Sequence, residues 1–211
     1  MVARNYCNMN MYKVGITGGI GSGKSVVCTM LSQRGVAVYD SDSHAKRLMT
    51  SDSSLRAQLI ARFGEDIYIG ESLNRALLAE RVFNDKEQLR ILNSLVHPAV
   101  MADFASWAEQ QEGDYVVLES AILFEANLED SVDCSVAVMA PLSLRLHRAM
   151  HRDGTSEERI RERMNNQLSD EERSRRADLS IVNINLDDLE ASVEQLHRRL
   201  TYDARAKRTQ L

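Results

Sequence analysis

Gly18-Gly19-Ile20-Gly21-Ser22-Gly23-Lys24-Ser25, an octet of the form G-x-x-x-x-G-K-S, stands directly after the apolar, β-rich run Tyr12-Lys13-Val14-Gly15-Ile16-Thr17. Its four glycines let the backbone turn N–H groups toward phosphate oxygens without a Cβ in the way. The helix that follows presents its positive end to the same anion. In that geometry the Lys24 ammonium reaches the β- and γ-phosphates of a nucleoside triphosphate, and the Ser25 hydroxyl ligates Mg²⁺. The strand–loop–helix order supports the motif, because a helix is predicted over 24–34 with Gly35 to end it. A Rossmann dinucleotide loop spaces its glycines differently and has no use for Lys-Ser at the helix start.

Outward from the loop, strand-type runs recur at 14–17, 36–39, 115–118, 132–139 and 179–182, with helical patterns between them. Such alternation predicts parallel strands joined by helical crossovers, hence a three-layer α/β fold with a five-stranded parallel sheet. Some 70 residues separate the second and third runs, too many for one crossover helix. They read as helices over 43–49, 54–63, 75–82, 85–95 and 99–111, forming an inserted helical substrate subdomain at about 43–112. One domain is expected over 12–203. A flexible N-terminal extension, 1–11, precedes it, and a short basic tail, 204–211, is expected to fray.

At 211 residues the chain can bury the core of one α/β domain with a smaller insertion. A net charge of −5 lacks the basic excess that would mark nucleic acid or an anionic membrane as the main partner. Cys7, Cys28 and Cys134 are far apart and odd in number, which fits reduced thiols better than a disulfide framework or a zinc site. No run approaches the ~18 apolar residues of a membrane span, and residues 1–11 carry no apolar targeting core. A cytoplasmic protein is expected, monomeric or weakly self-associating, with no nucleic-acid or membrane partner.

Tyr39-Asp40-Ser41-Asp42 places two carboxylates after the second strand, at the sheet edge where open α/β folds bind ligands. If the strand continues that far, Asp40 and Asp42 share a face. Phosphoryl transfer to a hydroxyl needs such a group, which orients the acceptor and takes its proton. The alternative is an Asx turn that caps the next helix, with Ser41 and Ser43 contributing. Tyr115-Val116-Val117-Leu118-Glu119 is an apolar strand ending in an acid, suited to water on Mg²⁺. Glu125 follows another apolar segment and could do the same or cap a helix.

Between Arg145 and Arg176 there are nine arginines and no lysine. Guanidinium forks grip phosphate bidentately, whereas an ammonium acts as a point charge. In the helix predicted over 142–152, Arg145, Arg148 and Arg152 share a face that can lie along a triphosphate. Asp153-Gly154-Thr155 breaks that helix and Ser156 with Glu158 restarts one, a helix–hinge–helix lid at about 142–168. The alternative is a solvated face whose arginines pair with Glu157, Glu158 and Glu162. His147 and His151 have zinc spacing but no third ligand, and read as surface residues.

Several segments together resemble the dephospho-CoA kinase family in content and order: Thr17-Gly18-Gly19-Ile20-Gly21-Ser22-Gly23-Lys24-Ser25, Asp40-Ser41-Asp42, Val96-His97-Pro98-Ala99-Val100, Leu123-Phe124-Glu125, Arg148 to Arg152, and Ala177-Asp178 with Ile181-Val182-Asn183. The resemblance spans roughly residues 12 to 200, and Arg75-Ala76-Leu77-Leu78-Ala79-Glu80-Arg81-Val82-Phe83 looks like the family's coenzyme-binding segment. It implies a P-loop kinase fold and transfer of the ATP γ-phosphoryl group to the ribose 3′-hydroxyl of dephospho-CoA, with Mg²⁺ as cofactor. It further implies Asp42 as the base supported by Asp40, and Lys24 and Arg148 at the transferring group. Gly19, Ile20, Gly21, Ser22, Gly23, Lys24, Ser25, Val26, Arg152 and Asn183 would hold ATP, with Asn183 near the adenine. Arg75, His97 and Pro98 would join Asp42 in the acceptor pocket, and Ser25 and Glu119 would serve the metal. The chain departs from the family at Ser120-Ala121-Ile122, where a proline is usual, and at Arg145, where many members have glutamine.

Other readings share part of this pattern. Another P-loop kinase, acting on a nucleoside monophosphate or a sugar-like acceptor, would differ only in the inserted pocket. A GTPase needs an Asn-Lys-x-Asp segment, and Asn84-Asp85-Lys86-Glu87 does not supply it. A nucleotide-binding regulator would keep the loop but need no acceptor base.

Overall fold

The computed structural model describes residues 11–83 and 85–210. The expected N-terminal extension therefore lies outside the described residues except at Met11, which is buried. In chain order the elements are β1 (Tyr12–Thr17), α1 (Lys24–Ser32), β2 (Ala37–Asp40), α2 (Ser41–Ser51), α3 (Ser53–Phe63), β3 (Tyr68–Ile69), β4 (Ser72–Leu73), α4 (Arg75–Phe83) and α5 (Lys86–Glu109). They continue with β5 (Tyr115–Glu119), β6 (Cys134–Met139), α6 (Leu142–Asp153), α7 (Glu157–Met164), α8 (Asp170–Arg176), β7 (Leu179–Val182) and α9 (Leu186–Thr209). Two units divide the chain: the described residues up to Tyr39 and from Trp107 onward, and Asp40–Ser106.

The first unit contains the expected five-stranded parallel sheet, in the order β2-β5-β1-β6-β7. Every residue of β5 is buried, and so are five of the six in β6, as parallel strands covered on both faces require. Val14 on β1 stands opposite Val117 of β5 and Cys134 of β6. Onto this layer pack Val27, Cys28 and Leu31 of α1 and Leu189, Val193, Leu196, Leu200 and Ala204 of α9. The α9 spacing is that of one helix face. From β1 the chain crosses to β2 on one side, whereas from β5 it crosses to β6 on the other. The boundary between β1 and β5 is therefore a topological switch point, and both strands open a crevice at their carboxyl ends.

The second unit holds α2, α3, the β3–β4 hairpin, α4 and most of α5. Leu55, Leu59 and Phe63 bury one face of α3, and Asp66 pairs with Arg81 across the unit. Asp52 starts α3 by accepting the N–H groups of Ser54 and Leu55.

Two readings of the sequence need correction, and one small element was not anticipated. The two helices expected over 85–95 and 99–111 are one: α5 runs from Lys86 to Glu109 through Pro98, losing only the bond that a residue-98 N–H would have given Ser94. The β3–β4 hairpin, two residues per strand around Gly70 at φ +61°, is too short to show an alternating pattern. The basic tail is not frayed, because α9 continues to Thr209 and Ala204 is fully buried. Arg205 bonds Asp114, Lys207 bonds Asp133, and Arg208 bonds the Gly113 carbonyl, so the charges that suggested a loose end fasten the helix to the loops before β5 and β6.

Truncation before Ala204 is expected to lower stability by ~1–3 kcal/mol, combining a lost core methyl with several partly exposed ion pairs. Denaturant unfolding measures this, and an unchanged midpoint would restore the frayed tail.

Candidate active site

At the carboxyl end of β1 the chain enters the glycine loop through a turn in which Ser22 N–H donates to the Gly19 carbonyl. Gly21 and Gly23 sit at φ +77° and +90°, where a side chain would strain the backbone. Gly23 is also the N-cap of α1, its carbonyl accepting from Val26 and Val27. Gly19 is small for another reason: a Cβ there would enter the space of the Arg145 guanidinium.

Ile16 pairs in register with Glu119, which sets the last side chain of β5 beside the start of the loop. One oxygen of Glu119, Oε1, accepts from both Lys24 Nζ at 2.5 Å and Ser25 Oγ at 2.6 Å. The Lys24 and Glu119 side chains are only 14% and 10% exposed, so the pair lies in a partly dry crevice. A hydroxyl and a carboxylate this close form a hard oxygen donor set. They fit Mg²⁺, which takes one or two protein oxygens and completes its shell with phosphate and water.

Asn183 closes the other side. Its side-chain amide donates to the Ser22 carbonyl at 2.8 Å, and Arg148 donates to its Oδ1 and to the carbonyls of Asn183 and Ile184. The flanking Val182 and Ile184 expose apolar side chains. The structure thus brings Lys24, Ser25, Glu119, Arg148 and Asn183 together around the loop.

The three arginines of α6 do not form one stripe. Arg145 is buried, its Nε donates to the Ile20 carbonyl at 2.9 Å, and Nη1 pairs with Asp170. Arg152 is exposed and bonds Asp153, away from the loop residues, and Asp153 also accepts from Arg163 at 2.5 Å. These two guanidinium groups hold the Asp153 carboxyl down at about 2, so it stays ionised at neutral pH. Glu125 is engaged away from the loop: its Oε1 accepts from Leu168 N–H and from the fully buried Arg173. His147 and His151 are exposed.

In the second unit, β2 ends at Asp40, so Asp42 belongs to the first turn of α2 and the two do not alternate along a strand. Asp40 is the N-cap of α2, accepting from Asp42 N–H at 3.1 Å and from Ser43 Oγ at 2.5 Å. The Asx-turn alternative thus describes Asp40, while the Asp42 side chain is exposed. One turn further on, His44 Nδ1 lies 3.1 Å from Asp103 Oδ2, which also takes Arg47 at 2.7 Å, a cluster whose members are too distant in sequence to pair by spacing. His97 is half-buried within α5, and burial lowers its pKa, leaving a neutral imidazole at pH 7. Pro98 is exposed beside it, and Arg75 is exposed at the start of α4.

A glycine loop between a central parallel strand and a helix, closed by a lysine, a serine and a carboxylate from the adjacent strand, is the phosphate seat of the P-loop kinases. The family model for dephospho-CoA kinase matches residues 12–188, and the chain belongs to that family. A dephospho-CoA kinase of Bacteroides fragilis is 44% identical over 172 residues, 81% of this chain and 84% of that one. Among solved structures, TT1252 from Thermus thermophilus superposes with a TM-score of 0.79 at 35% identity, covering 90% of this chain and 98% of that one. Dephospho-CoA kinase from Campylobacter jejuni shares the fold, with a TM-score of 0.59 at 22% identity over 90% of this chain and 97% of that one.

Sequence reasoning missed Gln167 and misread Arg145, whose contacts to Ile20 cross more than a hundred residues. For Gly23→Ala we expect a loss of ~1–3 kcal/mol, because the new Cβ meets Asn183 as well as an unfavourable φ. Adding Asn183→Ala should recover the clash but not the backbone strain, and thermal unfolding of the pair separates the two. Wild-type stability in Gly23→Ala would contradict the geometry.

Proposed function

We propose that the protein transfers the γ-phosphoryl group of ATP to the ribose 3′-hydroxyl of dephospho-CoA, giving CoA and ADP. Family membership supports the acceptor, and the single observation that carries the chemistry is the sharing of one Glu119 oxygen by Lys24 and Ser25. Those two groups are those a bound triphosphate would recruit, and both are already aimed at the crevice.

The loop N–H groups and Lys24 bind the β- and γ-phosphates, so positive charge is in place before the bond to the leaving oxygen lengthens. Arg148, held by Asn183 and Ile184, adds a guanidinium at the same end of the loop. Ser25 and Glu119 would hold Mg²⁺, which when bound neutralises charge on the phosphate oxygens. Asp42 accepts the proton from the 3′-oxygen as that oxygen bonds to phosphorus, while the β–γ bridging bond breaks and its electrons remain on ADP. Asp40 fixes the first turn of α2 and through it the base. Neutral His97, with Pro98 and Arg75, contributes to the acceptor side. Arg152, paired with Asp153 in the resting protein, would turn from it to reach nucleotide, and α6 and α7 are the proposed lid that carries it. Apolar Val182 and Ile184 beside Asn183 suit an adenine face. No helix among the described residues is long and apolar enough to cross a membrane, and the cytoplasm is the proposed compartment.

Incubation with Mg-ATP should yield CoA and ADP in equal amounts from dephospho-CoA, and little turnover with AMP or adenosine. In single turnover, Asp42→Asn should slow the chemical step by about 10²–10⁴-fold with little change in ATP affinity. Asp40→Asn should lose much less, because asparagine still caps a helix. A crippled Asp40→Asn beside a near-normal Asp42→Asn would exchange the two roles.

A further inference from the structure

Ile20 is gripped from three directions. Its N–H donates to Gln167 Oε1 at 2.9 Å, its carbonyl accepts from Arg145 Nε at 2.9 Å, and its side chain packs against Leu146, Ala149 and Ile160 of α6 and α7. An N–H turned outward to Gln167 is not a phosphate donor. The Ile20 peptide is therefore a handle on the outer side of the loop, and both ends of the α6–α7 segment hold it.

The handle is closed into a ring. Arg145 pairs with Asp170, Asp170 with Arg173 at 3.0 Å, and Arg173 with Glu125 at 3.2 Å. Glu125 accepts the N–H of Leu168, the neighbour of Gln167, at 2.9 Å. Arg145 and Arg173 are buried, and buried guanidinium groups are retained at a desolvation cost that only well-made partners offset. Gly19 leaves the room that the Arg145 guanidinium occupies, so the loop sequence and the ring fit each other.

We propose that Arg145 and Gln167 are positioning residues that hold the glycine loop in its phosphate-ready shape before nucleotide arrives, an inference that rests on the phosphate-loop reading. They touch no reacting atom. Their effect falls on binding: a loop released at Ile20 must be ordered by ATP itself, which weakens affinity, whereas the bound complex reaches the same transition state.

Gln167 is partly exposed, so its replacement should leave the fold intact. Gln167→Met should weaken Mg-ATP binding, measured by calorimetry without acceptor, by about five- to tenfold, the worth of one hydrogen bond. The KM for ATP should rise in proportion, with kcat unchanged. Exchange of the Ile20 amide should accelerate in the ligand-free protein. Gln167→Glu keeps the acceptor oxygen and should restore both affinity and protection. Arg145→Lys keeps a charge for Asp170 but loses the fork, and should show the same binding loss. A Gln167→Met protein with wild-type Mg-ATP affinity would overturn the proposal, as would a loss confined to thermal stability or one that glutamate fails to rescue. No Mg-ATP binding by the unaltered protein would overturn the phosphate-loop reading together with it.

Discussion

A single carboxylate oxygen of Glu119 holds the Lys24 ammonium and the Ser25 hydroxyl at once, in a crevice where water reaches neither ion freely. An unpaired carboxylate there would be costly, and so would an unpaired ammonium. The contact requires β5 to lie beside β1 with Ile16 opposite Glu119, and it requires the loop to deliver Lys24 at the first position of α1. Strand order, loop conformation and helix start are therefore set together. In the proposed reaction phosphate would draw Lys24 away from Glu119 and a divalent ion would draw Ser25 and Glu119, so the contact ties together in the resting protein the groups that the bound state would use.

Glycine in the loop serves two purposes that sequence alone does not separate. Gly21 and Gly23 are needed for positive φ, whereas Gly19 is needed because Arg145 lies against it. The second purpose ties the loop to a buried ring that runs through Asp170, Arg173 and Glu125. A phosphate loop of main-chain donors has little intrinsic stiffness, and the ring supplies it from outside. Motion of α6 and α7 on nucleotide binding would then be felt at Ile20.

The sheet and the loop were legible because their causes are local: apolar runs make buried strands, and phosphate chemistry needs glycine, lysine and serine at fixed spacing. Family resemblance extended that reading to the acceptor. Illegible were features decided by burial at long range. Arg145 has the same side chain as Arg148, and nothing in the sequence tells an arginine that enters the interior from one that reaches across to Asn183. Pro98 obeys a local rule that α5 overrides at the cost of one hydrogen bond. The basic end of α9 looked loose because its partners, Asp114 and Asp133, stand some 70 to 90 residues earlier. Asp40 was readable either way, and its hydrogen bonds to Asp42 and Ser43 identify the cap.

In the proposed mechanism Glu119 is the group that yields Lys24 to phosphate and would serve the metal with Ser25. Calorimetric titration of ATP with and without Mg²⁺ into the wild-type protein and Glu119→Gln tests this most directly. Metal-free ATP should bind the variant at least as well as wild type, since Lys24 is released, while the gain in affinity from Mg²⁺ should fall by about tenfold, the loss of a charged hydrogen-bond acceptor for the ion or its water. An equal Mg²⁺ gain in both proteins would contradict the account.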